Sequence, residues 1–448
     1  MKRLWGNLIV LTSLRGQRRA PFLPRARLEA LRDARVRRIV AHAASTVPYY
    51  RELFAREGID PRQIRGAADL ASLPLLDPDV VRREPARFLS ESRRAAGALG
   101  FLTSGTTGQP LEIHHDQRSV LANIAYGERE RAPVIALCGG SFRPRELYVG
   151  YETSNFRKVT AFYAANTRLP VPRRTTVSMV LPFDEIVAAI NEVRPDVLTA
   201  YGSFLDVFVR TLVARGAAIH APKVIMSVGE TLPIDRRTWI EETLRTRVLS
   251  RYCATEAFKI GYFCEERSGF HVHEDLCHVR VCTADGRPAA RDEPGQVVIS
   301  NLVNYATVLL NYPMGDVATL ASRGCPCGRT HELLSEVQGR VEDVLRLRNG
   351  ESLHPRAVWA ALKDDRSILQ YQLIQHALTR FELRLATVDQ NAFPAARDRA
   401  RQALHALLGA DAEIDASWHE DLGRRERDRT GKFRAVRSHL PSLSPRPS

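Results

Sequence analysis

Apolar positions follow two rhythms along this chain. Between residues 24 and 57, Leu28, Leu31, Val36, Ile39, Val40 and Ala43 recur at helical spacing among arginines, with a break at Val47-Pro48-Tyr49-Tyr50-Arg51. Pro61, Pro74, Pro78 and Pro85 then punctuate short helices and turns. Residues 111–114 read as a short strand, so the loop before them links two strands, and 117–131 reads as one helix. Further on, short apolar runs alternate with helical stretches. Strands are expected at 147–151, 176–181, 197–202, 223–228 and 248–252, and helices at 186–193, 204–214 and 234–245. That alternation predicts α/β layers around a largely parallel sheet. From 270 to 320 the pattern changes to short β runs such as Val279–Cys282 and Gln296–Ser300, which predict an antiparallel, β-rich insert.

A boundary is expected near Gly339-Arg340. Beyond it the order is strand (343–347), helix (355–362), two strands (369–374 and 379–386), helix (395–408) and strand (413–418). The predicted fold class is therefore α/β: a large N-terminal domain over 1–338, a small mobile α+β domain over 339–440, and a disordered Pro/Ser end at 441–448.

Composition adds three constraints. The charge is +14, yet only Lys2, Lys158, Lys223, Lys259, Lys363 and Lys432 are lysine, so 59 of the 65 basic residues are arginine. They are spread among acidic residues, which reads as surface arginine standing in for lysine, or as attraction to a polyanionic partner, whether a small molecule or an acidic protein. No basic run with interleaved aromatics suggests nucleic acid. The seven cysteines are odd in number and unlike a secreted disulfide framework. Leu4–Leu14 imitates a signal peptide but is interrupted by polar residues and is too short to span a bilayer. A cytoplasmic protein without stable membrane insertion is expected, with a homodimer as an option.

Candidate chemistry begins at Thr103-Ser104-Gly105-Thr106-Thr107-Gly108. Glycine lets a backbone approach a ligand closely, and successive N–H groups with Ser/Thr hydroxyls make an anion-binding concavity. An ordinary polar turn has the same composition. Five more stretches follow in order: Ser227-Val228-Gly229-Glu230, Arg251-Tyr252-Cys253-Ala254-Thr255-Glu256, Asn311–Asp316, Gly339–Asp343 and Arg429–Arg434. With Val47–Arg51 and Cys325-Pro326-Cys327-Gly328-Arg329, the chain resembles the acyl-adenylate-forming (ANL) superfamily, especially its phenylacetate–CoA ligase and coenzyme F390 synthetase-like branch, over residues 28–440.

The resemblance implies an adenylate-forming domain at 1–338 and an AMP-forming ligase. ATP and a carboxylic acid, aromatic or medium-chain, would give acyl-AMP and pyrophosphate, and the acyl group would pass to coenzyme A. Alternatives are transfer to a carrier-protein phosphopantetheine or an amine, or a catalytically silent nucleotide-binding relative. The 103–108 loop would hold the β- and γ-phosphates, although it lacks the lysine many members carry after it. Gly229, Glu230 and Tyr252 would contact the nucleotide, Tyr252 by stacking on adenine. Thr255 would reach the α-phosphate, and Glu256 would hold Mg2+. Asp316 would take the ribose hydroxyls, with Met314 where Thr is more usual. Arg340 would touch ribose or phosphate, and Glu342 would be the hinge. Lys432, a lysine in an arginine-rich tail, would stabilise the developing charge. Tyr201, Gly202 and Phe204, the stretch at 150–163 and the residues around Val228 would line the acyl pocket, with no evident basic partner for a second substrate charge.

Three of the seven cysteines suit a second centre. Cys264, His271, Cys325 and Cys327 offer three thiolates and an imidazole, a set for structural Zn2+, with His273 as the competing imidazole.

Overall fold

The computed structural model describes residues 2–92, 94–103, 111–141, 143–151, 154–169, 174–230, 232–283, 285–335, 337, 345–348, 352–353, 355–362, 364–422 and 433–440. Helices α1 (Lys2–Leu14), α2 (Arg25–Thr46), α3 (Pro48–Arg56) and α4 (Pro78–Arg83) come first. Val47 is extended between α2 and α3, and Pro48 opens α3, where its missing N–H costs no helical bond. Strands β1 (Leu99–Leu102) and β2 (Glu112–His115) pair antiparallel and bracket the 103–111 loop, as its flanks predict.

The single helix expected at 117–131 is instead two, α5 (Gln117–Tyr126) and α6 (Glu128–Leu137). The break falls at Gly127, a poor helix former. Asp116 starts α5 by accepting a hydrogen bond from the Ser119 N–H at 3.0 Å.

Next come β3 (Glu146–Gly150), α7 (Asn155–Asn166), β4 (Arg174–Ser178), α8 (Phe183–Val193), β5 (Val197–Tyr201), α9 (Gly202–Arg215), β6 (Val224–Val228), α10 (Ile234–Leu244) and β7 (Arg247–Tyr252). They are followed by β8 (Gly261–Phe263), β9 (Phe270–Val272), β10 (Cys277–Cys282), β11 (Gly295–Asn301), β12 (Tyr312–Ala318) and β13 (Leu333–Leu334). The main sheet runs β13-β9-β8-β7-β6-β5-β3-β4. It is parallel from β4 to β7 and antiparallel from β7 to β13. Alternate residues of its strands enter two cores: Val197, Val224, Met226 and Leu249 on one face, Leu198, Ile225 and Val248 on the other. Burial on both faces is why these strands read as unbroken apolar runs. Strands β10, β11 and β12 form the separate antiparallel sheet expected after residue 270.

The last part comprises β14 (Leu345–Arg346), β15 (Ser352–Leu353), α11 (Pro355–Leu362), β16 (Ile368–Gln375), β17 (Arg380–Thr387), α12 (Phe393–Leu408), β18 (Glu413–Trp418) and β19 (Val436–Ser438). Its sheet, β18-β17-β16-β19, packs around a core of its own that includes Val358, Leu373, Leu383, Leu404 and Ile414. This sheet rests on α9. Arg210 donates to the Ile368 carbonyl at 2.9 Å, and Arg236 lies 5.7 Å above the Trp359 ring. Among the described residues, no helix is long and apolar enough to cross a membrane.

Candidate active site

The carboxyl ends of the parallel strands converge, the usual place for a ligand site in an open α/β sheet. β5 ends at Tyr201 and passes directly into α9, β6 leads into Gly229-Glu230, and β7 ends at Tyr252. Gly229 has φ +76°, and a Cβ there would lie 2.8 Å from the Tyr201 ring. Glycine is therefore required by both backbone and space. Glu230 uses both carboxylate oxygens on backbone N–H groups. One accepts from Ser203 at the start of α9 (3.1 Å), the other from Phe433 (2.7 Å).

The turn after β7 carries Thr255 to the base of the candidate phosphate loop. The Thr255 carbonyl accepts from His115 Nε2 at 2.7 Å. Asn155 Nδ2 donates to both Thr255 Oγ1 (3.1 Å) and the Leu102 carbonyl (2.9 Å), tying α7, β1 and the turn together. Thr103 closes the loop: its N–H donates to the Leu111 carbonyl (2.8 Å), and its Oγ1 accepts from the Leu111 N–H (3.0 Å). Thr255 and the loop base are thus neighbours although about 150 residues apart in sequence. Ser104, Gly105, Thr106, Thr107, Gly108, Arg340, Glu342 and Lys432 lie outside the described residues.

Tyr252 and Asp316, assigned to adenine and ribose from sequence, are brought together by a hydrogen bond from Tyr252 Oη to Asp316 Oδ2 at 2.5 Å. Glu256 is half-buried, and its carbonyl accepts from Asn301 Nδ2 at 2.9 Å.

A cavity of about 1030 Å³ opens from these strand ends toward α1, α5 and α7. Tyr201, Val228, Gly229, Cys253, Ala254 and Thr255 line one end. Val10, Leu11, Ile124, Val159 and Tyr163 make its apolar side. Tyr201 and Val228, two of the residues expected to line an acyl pocket, both border this cavity. Gly202 and Phe204 are not among the lining residues; Phe204 stacks on Phe208 in the core, with ring centroids 5.3 Å apart.

Basic groups line this cavity as well, which the sequence did not lead one to expect: Arg131, Arg143, Arg174, Arg251 and Lys259. Glu130, 2% exposed, lies 2.9 Å from Lys259 Nζ, 3.3 Å from Arg251 Nε and 3.1 Å from His273 Nε2. Burial opposes ionisation of Glu130, but the two cations and the His273 hydrogen bond outweigh it and hold its carboxyl well below the usual range. His273 is kept neutral by burial. One signal could have found Lys259, and with it Lys158, which donates to the Gly100 carbonyl. In a chain that writes arginine almost everywhere, a lysine is a candidate for a place where a compact charge is wanted. His115, Asn155 and Glu130 had no such signal.

The second centre brings together the donor set read from the sequence, in spite of the tight Cys-x-Cys spacing. The ligand atoms of Cys264, His271, Cys325 and Cys327 all lie within 4.8 Å of one another. Cys264 Sγ is 3.6 Å from Cys325 Sγ, and Cys327 Sγ is 3.4 Å from His271 Nε2. The 3.6 and 3.4 Å separations are what ligands of one tetrahedral ion would show at metal–ligand distances of about 2.0–2.3 Å. The donor set fits a metal, and His271, not His273, completes it. Burial pushes the Cys264 thiol up to about 12. At Cys327 burial acts the same way, but hydrogen bonds from Arg329 outweigh it and lower the thiol. Arg329 is itself paired with Glu265 at 3.1 Å.

No family model matches the chain. It is 27% identical over 435 residues to a phenylacetate–coenzyme A ligase of Thermus thermophilus, covering 95% of each chain. To the phenylacetate–coenzyme A ligase of Escherichia coli it is 24% identical over 337 residues, 72% of this chain and 73% of that one. A solved structure of 2-hydroxyisobutyryl-CoA ligase in the postadenylation state, in complex with 2-HIB-AMP, superposes with a TM-score of 0.71 at 18% identity, covering 94% of this chain and 91% of the other. The fold is accordingly that of the adenylate-forming CoA ligases. Within that class, the chain is similar in sequence to phenylacetate–CoA ligases, as the resemblance over residues 28–440 leads one to expect.

Proposed function

We propose that this chain is an ATP-dependent acid–CoA ligase. A carboxylate oxygen attacks the α-phosphorus of ATP, the bond to the β-phosphate breaks, and acyl-AMP and pyrophosphate result. The coenzyme A thiol, giving up its proton, then takes the acyl group and AMP leaves. The observation that carries this reading is the junction of Thr255, Asn155 and Leu102, which sets a hydroxyl beside the base of the 103–108 loop at the mouth of the cavity.

Thr255 Oγ1 donates to an α-phosphate oxygen while Asn155 fixes its rotamer. Tyr252 and Asp316, already hydrogen-bonded, form the nucleoside side, the Asp316 carboxylate accepting from ribose. Glu230 acts through its neighbours: it holds the start of α9 and the backbone next to Lys432. Lys432 neutralises charge on the carboxylate and α-phosphate, and Arg340 contacts the nucleotide. Glu256 is the carboxylate that would hold Mg2+, and the chemistry the ion would supply there is neutralisation of phosphate charge. The acid is aromatic or medium-chain and lies in the cavity against Tyr201 and Val228. Residues 1–338 and 339–440 act as two domains pivoting near Glu342, consistent with the separate core of the C-terminal sheet. The metal at Cys264, His271, Cys325 and Cys327 is structural zinc.

ATP–pyrophosphate exchange across a panel of acids tests the reading. Lys432→Ala is expected to suppress exchange at least about a hundredfold in a folded protein. Near-normal exchange in that variant, or none with any acid in the parent, overturns it. Thioester formation on adding coenzyme A then separates this acceptor from a carrier-protein phosphopantetheine or an amine.

A further inference from the structure

Helix α1 is apolar on two opposite faces. Gly6, Ile9 and Val10 pack inward, Gly6 so closely that a Cβ would meet the Asn166 carbonyl oxygen at 2.0 Å. The outward face carries Leu4, Trp5, Leu8 and Leu11, exposed by 73, 43, 61 and 50%. Positions 4, 8 and 11 make one continuous stripe at helical spacing. A helix apolar all round is normally covered on both sides, and a stripe of this size on a surface marks a contact.

Charge says what covers it. Among residues 1–28 there are seven cations, Lys2, Arg3, Arg15, Arg18, Arg19, Arg25 and Arg27, and no acidic residue; the first acid is Glu29. Lys2, Arg15 and Arg19 are exposed around the apolar stripe. Two copies of this face brought together would set like charges against each other. An anionic lipid surface satisfies both features, because interfacial helices bury an apolar face, often with Trp, and attract acidic headgroups with Lys and Arg. Thirteen residues are too few to span a bilayer, so the helix lies in its surface.

We infer that α1 is an interfacial helix that seats the protein on an anionic membrane surface. Leu11 and Leu14 also line the 1030 Å³ cavity, so seating α1 brings that cavity to the lipid boundary. The inference does not depend on the ligase reading.

The test is vesicle flotation of the full chain with phosphatidylcholine vesicles containing 30% phosphatidylglycerol, against pure phosphatidylcholine. Binding is expected to the anionic vesicles only, and to fall steeply when salt is raised. Leu4→Ser/Leu8→Ser is expected to lower partitioning at least about tenfold while the circular dichroism melt and nucleotide-dependent activity stay unchanged. Failure of the parent protein to float with anionic vesicles overturns the inference, as does equal binding to the neutral ones. A parent dimer in sedimentation equilibrium that the double variant dissolves also overturns it and assigns the stripe to a second copy.

Discussion

Glu230 is the place to separate the two half-reactions. Its carboxylate spans from the N–H of Ser203 at the start of α9 to the N–H of Phe433, the residue covalently following Lys432. Glu230→Ala removes both bonds. A hydrogen bond to a charged acceptor contributes about 1.5–3 kcal/mol, so losing the 2.7 Å bond to Phe433 weakens that docking by about 10- to 150-fold. Losing the bond to Ser203 removes a helix cap and costs about 0.5–2 kcal/mol of overall stability. These losses differ in kind. The first acts only on the arrangement in which Phe433 sits against the strand ends, while the second acts whenever the protein is folded.

The assay follows from that difference. ATP–pyrophosphate exchange reads acyl-AMP formation, and supplied acyl-AMP with coenzyme A reads the second step alone. In Glu230→Ala, exchange is expected to fall at least about tenfold, with thioester formation from acyl-AMP within about threefold of the parent. Glu230→Gln keeps an acceptor oxygen toward Phe433 and is expected to recover most of the exchange, because a neutral hydrogen bond retains about 0.5–1.5 kcal/mol. Exchange at the parent rate in folded Glu230→Ala refutes the docking role. Equal loss in both steps refutes it too, reducing Glu230 to a helix cap.

Protein purified without chelator is expected to carry one zinc per chain by elemental analysis, and Cys325→Ser to lose it with a lower thermal midpoint; metal-free parent protein would sink the zinc assignment. Burial lowers His115 to about 4 from an ordinary 6.5, so its neutral form contributes stability that is fully present above pH 6.5 and is lost as pH falls toward 4. Between pH 7 and 5 this amounts to about 2 kcal/mol, and urea unfolding of His115→Gln should show a correspondingly flatter pH dependence. Asp275 is buried and bonded to Arg129 at 2.6 and 2.9 Å and to Arg35 at 2.7 Å. Asp275→Asn strands two cations and is expected to cost about 3–5 kcal/mol, read by urea unfolding.

Much of the fold was legible because its strands are buried on both faces. Val197–Tyr201 and Val224–Val228 are short apolar runs between amphipathic helices, and they pair parallel as that alternation requires. Helix α7 was not foreseen; only Tyr163 of it is fully buried, so its apolar rhythm is faint. The arginine-rich composition suggested a charged surface, yet Arg129 is among the largest fully buried side chains. Pairing with Asp275 permits that burial, and no local spacing announces a partner 146 residues away. The same holds for Glu130, Lys259, Arg251 and His273, which come from α6, β7 and the turns beside β8 and β9. The metal ligands were readable because Cys264, His271 and the pair Cys325 and Cys327 supply a zinc-type donor set that the family resemblance supports, although C-x-C is tighter than the usual C-x2-C spacing. Choosing between His271 and His273 needed the structure: His271 lies inside β9, while His273 lies beyond its end and turns to Glu130.

The two centres are linked through one run of strands. Tyr252 ends β7, and β7 pairs with β8, β8 with β9, and β9 with β13. Of the metal ligands, Cys264 follows β8, His271 sits in β9 opposite Leu333 of β13, and Cys325 and Cys327 precede β13. A metal holding these four fixes β8, β9 and the approach to β13 as one block, because closing long loops removes much chain entropy. The chain leaves that block only a few residues before Gly339-Arg340, where the second domain is expected to pivot. A metal held at this position would have two mechanical consequences: it would anchor the strand beside Tyr252 and Thr255, and it would give the proposed pivot a rigid base at β13.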